Sequence, residues 1–443
     1  MSTSPPFGFP APGPGSGVNP FAPPPSGTRP RSRWGDVAWL DSLRVLADPE
    51  GEAVARALKP FGTAPTRAAF GAFRAGRRTF PAGTPEVLLD FARREFGYAD
   101  HDGFATLPAW ADHDRIRRGQ EVFMTTAIPA VLVMLCKSLP EGYAAPSMAR
   151  ILNLSGDLQK YPQHRLMGTL QLLLNVSSPG SFDPGGPGIV SGLEMRLLHA
   201  GVRANVAPAV MGEAGLAAFR GRYGEPINQE DMIGTILGFS MLVVDGLKLL
   251  GLDWTDEQAE DYYHLWSVFA HLMGVRTPAT PADGNAMPTT LDEARTFYAA
   301  YHRHYVGATD FSGDFRARSM AANPDGVQLA DAHIRMLNLY VPKFLQLVLD
   351  DQIPRAYMHR LIGDAATSRI GIQPGKAVHE LERVLVTLPT FLEEVVGHTT
   401  RSVHITLAEL LFGALVKDTF PKGVVFPTPA SVADLRELTL HGD

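Results

Sequence analysis

Cysteine is nearly missing: Cys136 is the only one in 443 residues. That excludes a disulfide framework and every paired-cysteine metal or redox motif. Cys136 closes the apolar run VFMTTAIPAVLVMLC (122–136), where it reads as a small buried hydrophobe. Charge is sparse at 19% of residues, and its balance of −6 provides no basic footprint for nucleic acid. Long hydrophobic runs are lacking too. The run 122–136 has about fifteen residues, whereas a membrane span needs about twenty, and it carries two threonines and Pro129. No transmembrane segment is expected. Serine-hydrolase elbows (GxSxG) and HExxH zinc motifs are absent, as are a βαβ rhythm, period-2 alternation and any 20–50-residue repeat.

Proline and glycine crowd the start instead. The first thirty residues hold ten prolines and five glycines. So little apolar surface cannot offset the entropy of ordering, so 1–32 reads as a disordered arm. Its stretch APPPSGTRPRSR is a basic polyproline-type segment that a protein partner could read. With no apolar h-region there, the expectation is a cytoplasmic protein without an export signal.

From residue 33 to 443 the signals are helical. Asp36 is an N-cap candidate for 34–48, and Pro85 and Gly97 bracket 85–97. Further helices read at 120–138, 146–159, 162–176, 189–206, 228–251, 255–275 and 290–306. Asn228, Thr255 and Thr290 are positioned to cap the last three. Others are expected near 329–350, 354–362, 377–396 and 404–417. Several of these are apolar on every face, which requires a large multi-layer bundle. The fold class is therefore all-α, with 33–443 as one domain.

Few segments carry chemistry. GIQPGKA (371–377) is one residue short of a phosphate loop and has Ala377 after its lysine. ADHDG (99–103) lacks the glutamate that would complete a calcium loop. In YHRHY (301–305) the histidines point about 200° apart on a helix, so the stretch reads as a solvated, half-aromatic surface. EMRLLHAGVRANV (194–206) is different. His199 shares a helix face with Met195, Val202 and Val206, and Arg196 and Arg203 lie at i−3 and i+4. Two readings fit: a satisfied core histidine with salt-bridged arginines, or an iron ligand with arginines that pair the carboxylates of a macrocycle. His264 and His271, seven apart, are competing ligand candidates.

The blocks SLPEGYAAPSMARILNLSGDL, HRLMGT, RLLHAGVRANV, NQEDMIGTILGFS and HLWSVFAHLMGV follow one another within roughly 120–275. In kind and order they resemble the latex clearing protein (rubber oxygenase) family and the wider MpaB-type oxygenases. The resemblance implies an all-α bundle with a globin-like core around haem b. It implies His199 as the proximal iron ligand, with Arg196 and Arg203 available to the haem carboxylates. It also places a distal Arg, Lys, Thr set on a neighbouring helix, matched here by Arg165 and Thr169, while Gly168 stands where the lysine would be. The implied activity is a haem-dependent oxygenase, with O2 used on the face near Arg165 and Thr169 for oxidative cleavage or oxygenation of a hydrophobic alkene or isoprenoid. The missing export signal points away from a large extracellular polymer. A haem-binding sensor or carrier without turnover is a second reading, and a cofactor-free scaffold acting through the Pro-rich arm is a third.

Overall fold

A computed structural model describes residues 33–373 and 426–434, apart from short breaks at 77–78, 100–102, 105–106, 155, 157–159, 282–283, 308–312, 342 and 427. The arm at 1–32 and the helices expected near 377–396 and 404–417 lie outside the described residues. What is described is all-α. Its only strand pairing among those residues joins Tyr98–Ala99 to Gly103–Phe104, antiparallel.

The capping signals act as read. Asp36 accepts from the Ala38 N–H, Asn228 from Asp231 and Thr290 from Glu293. Thr255 and Gln258 close a full capping box. Each cap satisfies a helix-end N–H that has no intrahelical partner. Gly97 ends its helix at φ 57, a left-handed turn that glycine adopts without steric cost.

Two long apolar runs are broken where they read as continuous. The run 120–138 bends by 86° between His113–Thr125 and Ala127–Ala144. The Thr125 and Thr126 hydroxyls both donate to the Val122 carbonyl at 2.9 Å. Pro129, just after, has no N–H to continue the ladder. The run 228–251 splits at Ser240 (φ −111, ψ −85) into Gln229–Phe239 and Met241–Leu249. There the Ser240 hydroxyl bonds back to the Ile236 carbonyl at 2.8 Å, a pairing that bends helices. By length and composition Gln229–Leu249 could cross a membrane, but 72% of its 18-residue apolar stretch is buried inside this bundle.

One contiguous core runs from Trp34 to Phe426. Helix His113–Thr125 lies along Asp256–Leu272, where the rings of Phe123 and Tyr262 stack at 5.7 Å. Helix Pro187–Gly201 is the centre of the bundle. It packs against Pro49–Leu58, Pro162–Ser177 and Asp256–Leu272, and all but two of its residues are buried. Cys136 is buried as expected, and burial pushes its thiol up to about 12.

The YHRHY stretch requires a correction. His302 and His304 are buried, not solvated. His304 sits between Glu230 (2.6 Å) and Asp41 (2.8 Å), while the His302 ring stacks on Tyr305 at 4.7 Å. An apolar stripe on helix Leu291–Val306 turns this face inward, and Glu230 on the neighbouring helix gives His304 a charged partner there.

Candidate functional site

His199 is two residues from the end of helix Pro187–Gly201, which continues as a π-helical turn over Val202–Val206. Such turns insert an extra residue and are frequent at functional sites. The imidazole forms part of the wall of an internal cavity. Its Nδ1 is buried and has no hydrogen-bond partner. Leaving a buried polar atom unsatisfied costs about 1–3 kcal/mol, a cost the fold accepts at this ring. Burial, aided by the charges of Arg203 and Arg165 and opposed by Asp48, lowers the imidazole pKa to about 3. The ring is therefore neutral across the physiological range, and a neutral ring has the lone pair that a metal needs.

The cavity offers about 260 Å³ to the centres of water molecules. Met195, Leu198 and Val202 line it from the His199 helix, and Phe239, Trp266 and Phe269 from two others. Helix Pro162–Ser177 adds Arg165, Gly168 and Thr169. The geometry thus brings His199, Arg165 and Thr169 to one space. Arg165 is half-buried, and its charge acts on both His199 and Tyr143. The Thr169 hydroxyl donates to the Arg165 carbonyl at 3.2 Å, so toward the cavity it presents acceptor capacity. Its proton is committed to its own helix.

The structure places Arg196 and Arg203 elsewhere, which corrects their reading as partners of haem carboxylates. Neither lines the cavity. Arg196 donates to Asp48 (2.7 and 3.0 Å) and Glu95 (2.8 Å) and lies over the Phe91 ring. Arg203 donates to Glu52 and to the Ile227 carbonyl, both at 3.1 Å. The reason is angular. At about 100° per residue, both arginines fall some 40–60° to one side of His199, while Met195 and Val202 fall to the other. The cavity takes the second side. Burial alone would raise the Asp48 carboxyl, but the hydrogen bonds and charge of Arg196 outweigh it, and its pKa ends below the usual value.

His264 and His271 drop out as rivals. His264 Nε2 accepts the Asp112 N–H at 2.9 Å. His271 sits beside Arg276, and both histidines flank the Trp110 ring outside the cavity lining. Burial lowers each to about 4. Among the described residues no group of three or more His, Cys, Asp or Glu is placed to hold a metal ion. A single neutral histidine facing an apolar space is the protein ligand set a haem iron takes, and His199 in this lining fits it.

Several lining residues were not singled out by the sequence. His164, Tyr143, Tyr298, Asp231 and Phe426 all border the cavity. Asp231, read only as a helix-start acid, is pushed up to about 6 by burial, with Glu230 adding to the shift. Ser147 and Tyr301 donate to it at 2.9 Å. The Tyr298 hydroxyl donates to Glu141 at 2.7 Å, and Tyr143 pairs with His333 at 3.1 Å. The signal that was available is the pair of acids opening an otherwise apolar helix at 229–239. Phe426 gave no signal, because it is far away in sequence.

Comparison with known proteins decides the family. Residues 115–388 match the family described as ER-bound oxygenase mpaB/B'/Rubber oxygenase, catalytic domain, over more than half of the chain. The chain belongs to this family. A curated relative, the rubber oxygenase of Streptomyces sp. (strain K30), is 26% identical over 271 residues, or 58% of this chain and 62% of that protein. The match therefore spans less than two thirds of that relative's length. A solved structure of latex clearing protein in the closed state superposes with a TM-score of 0.60 at 21% identity, covering 84% of this chain and 90% of that one. That likeness is one of fold, and it bears out the all-α reading.

Proposed function

We propose that this chain is a haem b oxygenase acting on a hydrophobic, alkene-bearing small molecule. The carrying observation is a neutral His199 in the wall of an apolar cavity that Arg165 and Thr169 also line. Family membership supports the oxygenase part, and the K30 relative's name supports a polyisoprene-like substrate class.

In this reading His199 holds the iron. Bound haem supplies the O2 and redox chemistry. The chain supplies position, polarity and dryness. Phe239, Trp266 and Phe269 hold an apolar substrate and keep water out. The Arg165 guanidinium sets a fixed positive charge at the wall, where it stabilises negative charge that develops during oxygenation. Asp231 is the carboxyl in the described lining, and with its pKa near 6 it can hold a proton at mildly acidic pH.

The test starts with colour. Purified protein is expected to show a Soret band and a b-type pyridine haemochrome near one per chain. His199→Ala is expected to lose haem or its normal spectrum. A colourless, folded wild-type protein from haem-supplemented cells would overturn the reading. Product formation from a panel of olefins under O2 then separates an oxygenase from a carrier. Arg165→Ala should keep haem and lower turnover by about 10²–10³-fold, the usual cost of removing one electrostatic stabiliser.

A further inference from the structure

The wall of the cavity at Gly168 is built by a residue far away in sequence. A Cβ added at Gly168 would lie 3.7 Å from the Phe426 ring. The ring thus leaves room for no more than a small group over Gly168 and occupies space that a longer side chain at 168 would claim. It is buried and forms part of the cavity lining together with Arg165, Thr169 and His199.

Phe426 is held there from the other side of the cavity. Its backbone N–H donates to the buried carboxylate of Glu194. Three residues on, the Pro429 carbonyl accepts from Asn205 Nδ2 at 3.0 Å. Pro429 also seats on Gly201, where a Cβ would come within 2.6 Å of its ring. Asp434 then closes a turn by accepting from the Ala430 N–H and the Ser431 hydroxyl, both at 3.0 Å. Glu194, Gly201 and Asn205 all belong to the His199 helix and its π-turn. One segment is therefore anchored on the histidine's helix and lays an aromatic ring on the helix that carries Arg165.

From this bridging placement we infer that Phe426 is a specificity-determining residue, whose ring opposite Gly168 limits the bulk of the molecule admitted beside His199 and Arg165. The inference deepens the proposed function and rests on that reading for its substrate class, a slender apolar molecule. Its steric content is independent of haem.

Two titrations of the full chain test it. The first uses the uncharged fluorophore N-phenyl-1-naphthylamine, which needs no haem. Phe426→Ala should bind it about tenfold more tightly, the lower end of what one methylene's difference in fit is worth in an apolar pocket. Phe426→Leu should be intermediate and guards against a variant that fails to fold. The second titration follows the visible spectrum with imidazole and 4-phenylimidazole. Phe426→Ala should gain affinity for the larger ligand only. A folded Phe426→Ala or Phe426→Leu with wild-type fluorophore affinity and wild-type size preference overturns the inference. A colourless protein sinks the haem reading alone, and the fluorophore then decides the role of Phe426.

Discussion

Arg196 shows how far a residue's role depends on which way a helix is turned. Its guanidinium is buried and binds Asp48 and Glu95. Removing it strips the buried Asp48 of its bidentate partner and leaves only Arg203, at 4.0 Å, as a counter-charge. Arg196→Ala is therefore expected to cost about 3–5 kcal/mol of stability, the usual penalty for half of a buried ion pair. Arg196→Lys should recover only part, since an ammonium cannot reproduce the bidentate fork. Urea unfolding at neutral pH reads both. If Arg196 served haem carboxylates instead, haem content would fall while the apoprotein kept its stability. Spacing had put His199, Arg196 and Arg203 near one stripe. It could not say which flank of the stripe faces the cavity, because that depends on the neighbours. Arg165 and Thr169 were legible as a pair on one turn. Phe426 was not, because contacts across more than 250 residues leave no local pattern.

At the scale of elements, local chemistry was the most readable. Asp36, Asn228, Thr255 and Thr290 cap the helices they announce. The bend at Thr126 and the break at Ser240 were missed for a common reason: hydrophobic periodicity does not register a hydroxyl that bonds back to its own helix. Glycine inside helices separates two physical cases. A Cβ at Gly119 would lie 2.6 Å from the Asp261 carbonyl oxygen, so helices His113–Thr125 and Asp256–Leu272 pack with backbone almost on backbone. Gly119→Ala should force them apart at a cost of about 1–3 kcal/mol. Gly221 meets nothing within 4 Å. Gly221→Ala should stabilise by about 0.5–1 kcal/mol through better helix propensity. Thermal midpoints that move in the same direction for the two variants would refute this contrast.

Over the whole molecule, buried neutral histidines set the response to acid. Burial lowers His264 and His271 to about 4 and His333 to about 3. The unfolded chain takes up these protons near pH 6.5 and the folded chain does not. Their contribution to stability is complete above pH 6.5 and is lost as the pH falls toward 4 and 3. Asp231 acts with the opposite sign. Its carboxyl is raised from 3.8 to about 6, so its contribution is present below 3.8 and lost as the pH rises through 6. Three histidines outweigh one carboxyl, so urea midpoints should fall from pH 7 to pH 4. Asp231→Asn should make that fall steeper by removing one of the opposing groups, the buried Glu194 being another. A midpoint that is flat over this range would contradict the assignment. The all-α class was legible from helical periodicity alone. The placement of these titrating groups was not, since burial is a property of the packed bundle.

The Arg196 cluster also bears on where this family's catalytic unit begins. The region matched to the family starts at residue 115. Asp48, Glu52 and Glu95, which hold Arg196 and Arg203, all precede it, as does Arg74, which pairs with the buried Glu194. A protein cut at 115 would carry two buried guanidiniums and a buried carboxylate, each stripped of its counter-charge, on the same helix as His199. Such a fragment should aggregate on expression, while one starting at residue 33 should remain in solution. The border drawn by sequence kinship, at 115, and the border drawn by electrostatics, at Asp48, differ here by 67 residues, and it is the electrostatic border that a folding chain must respect.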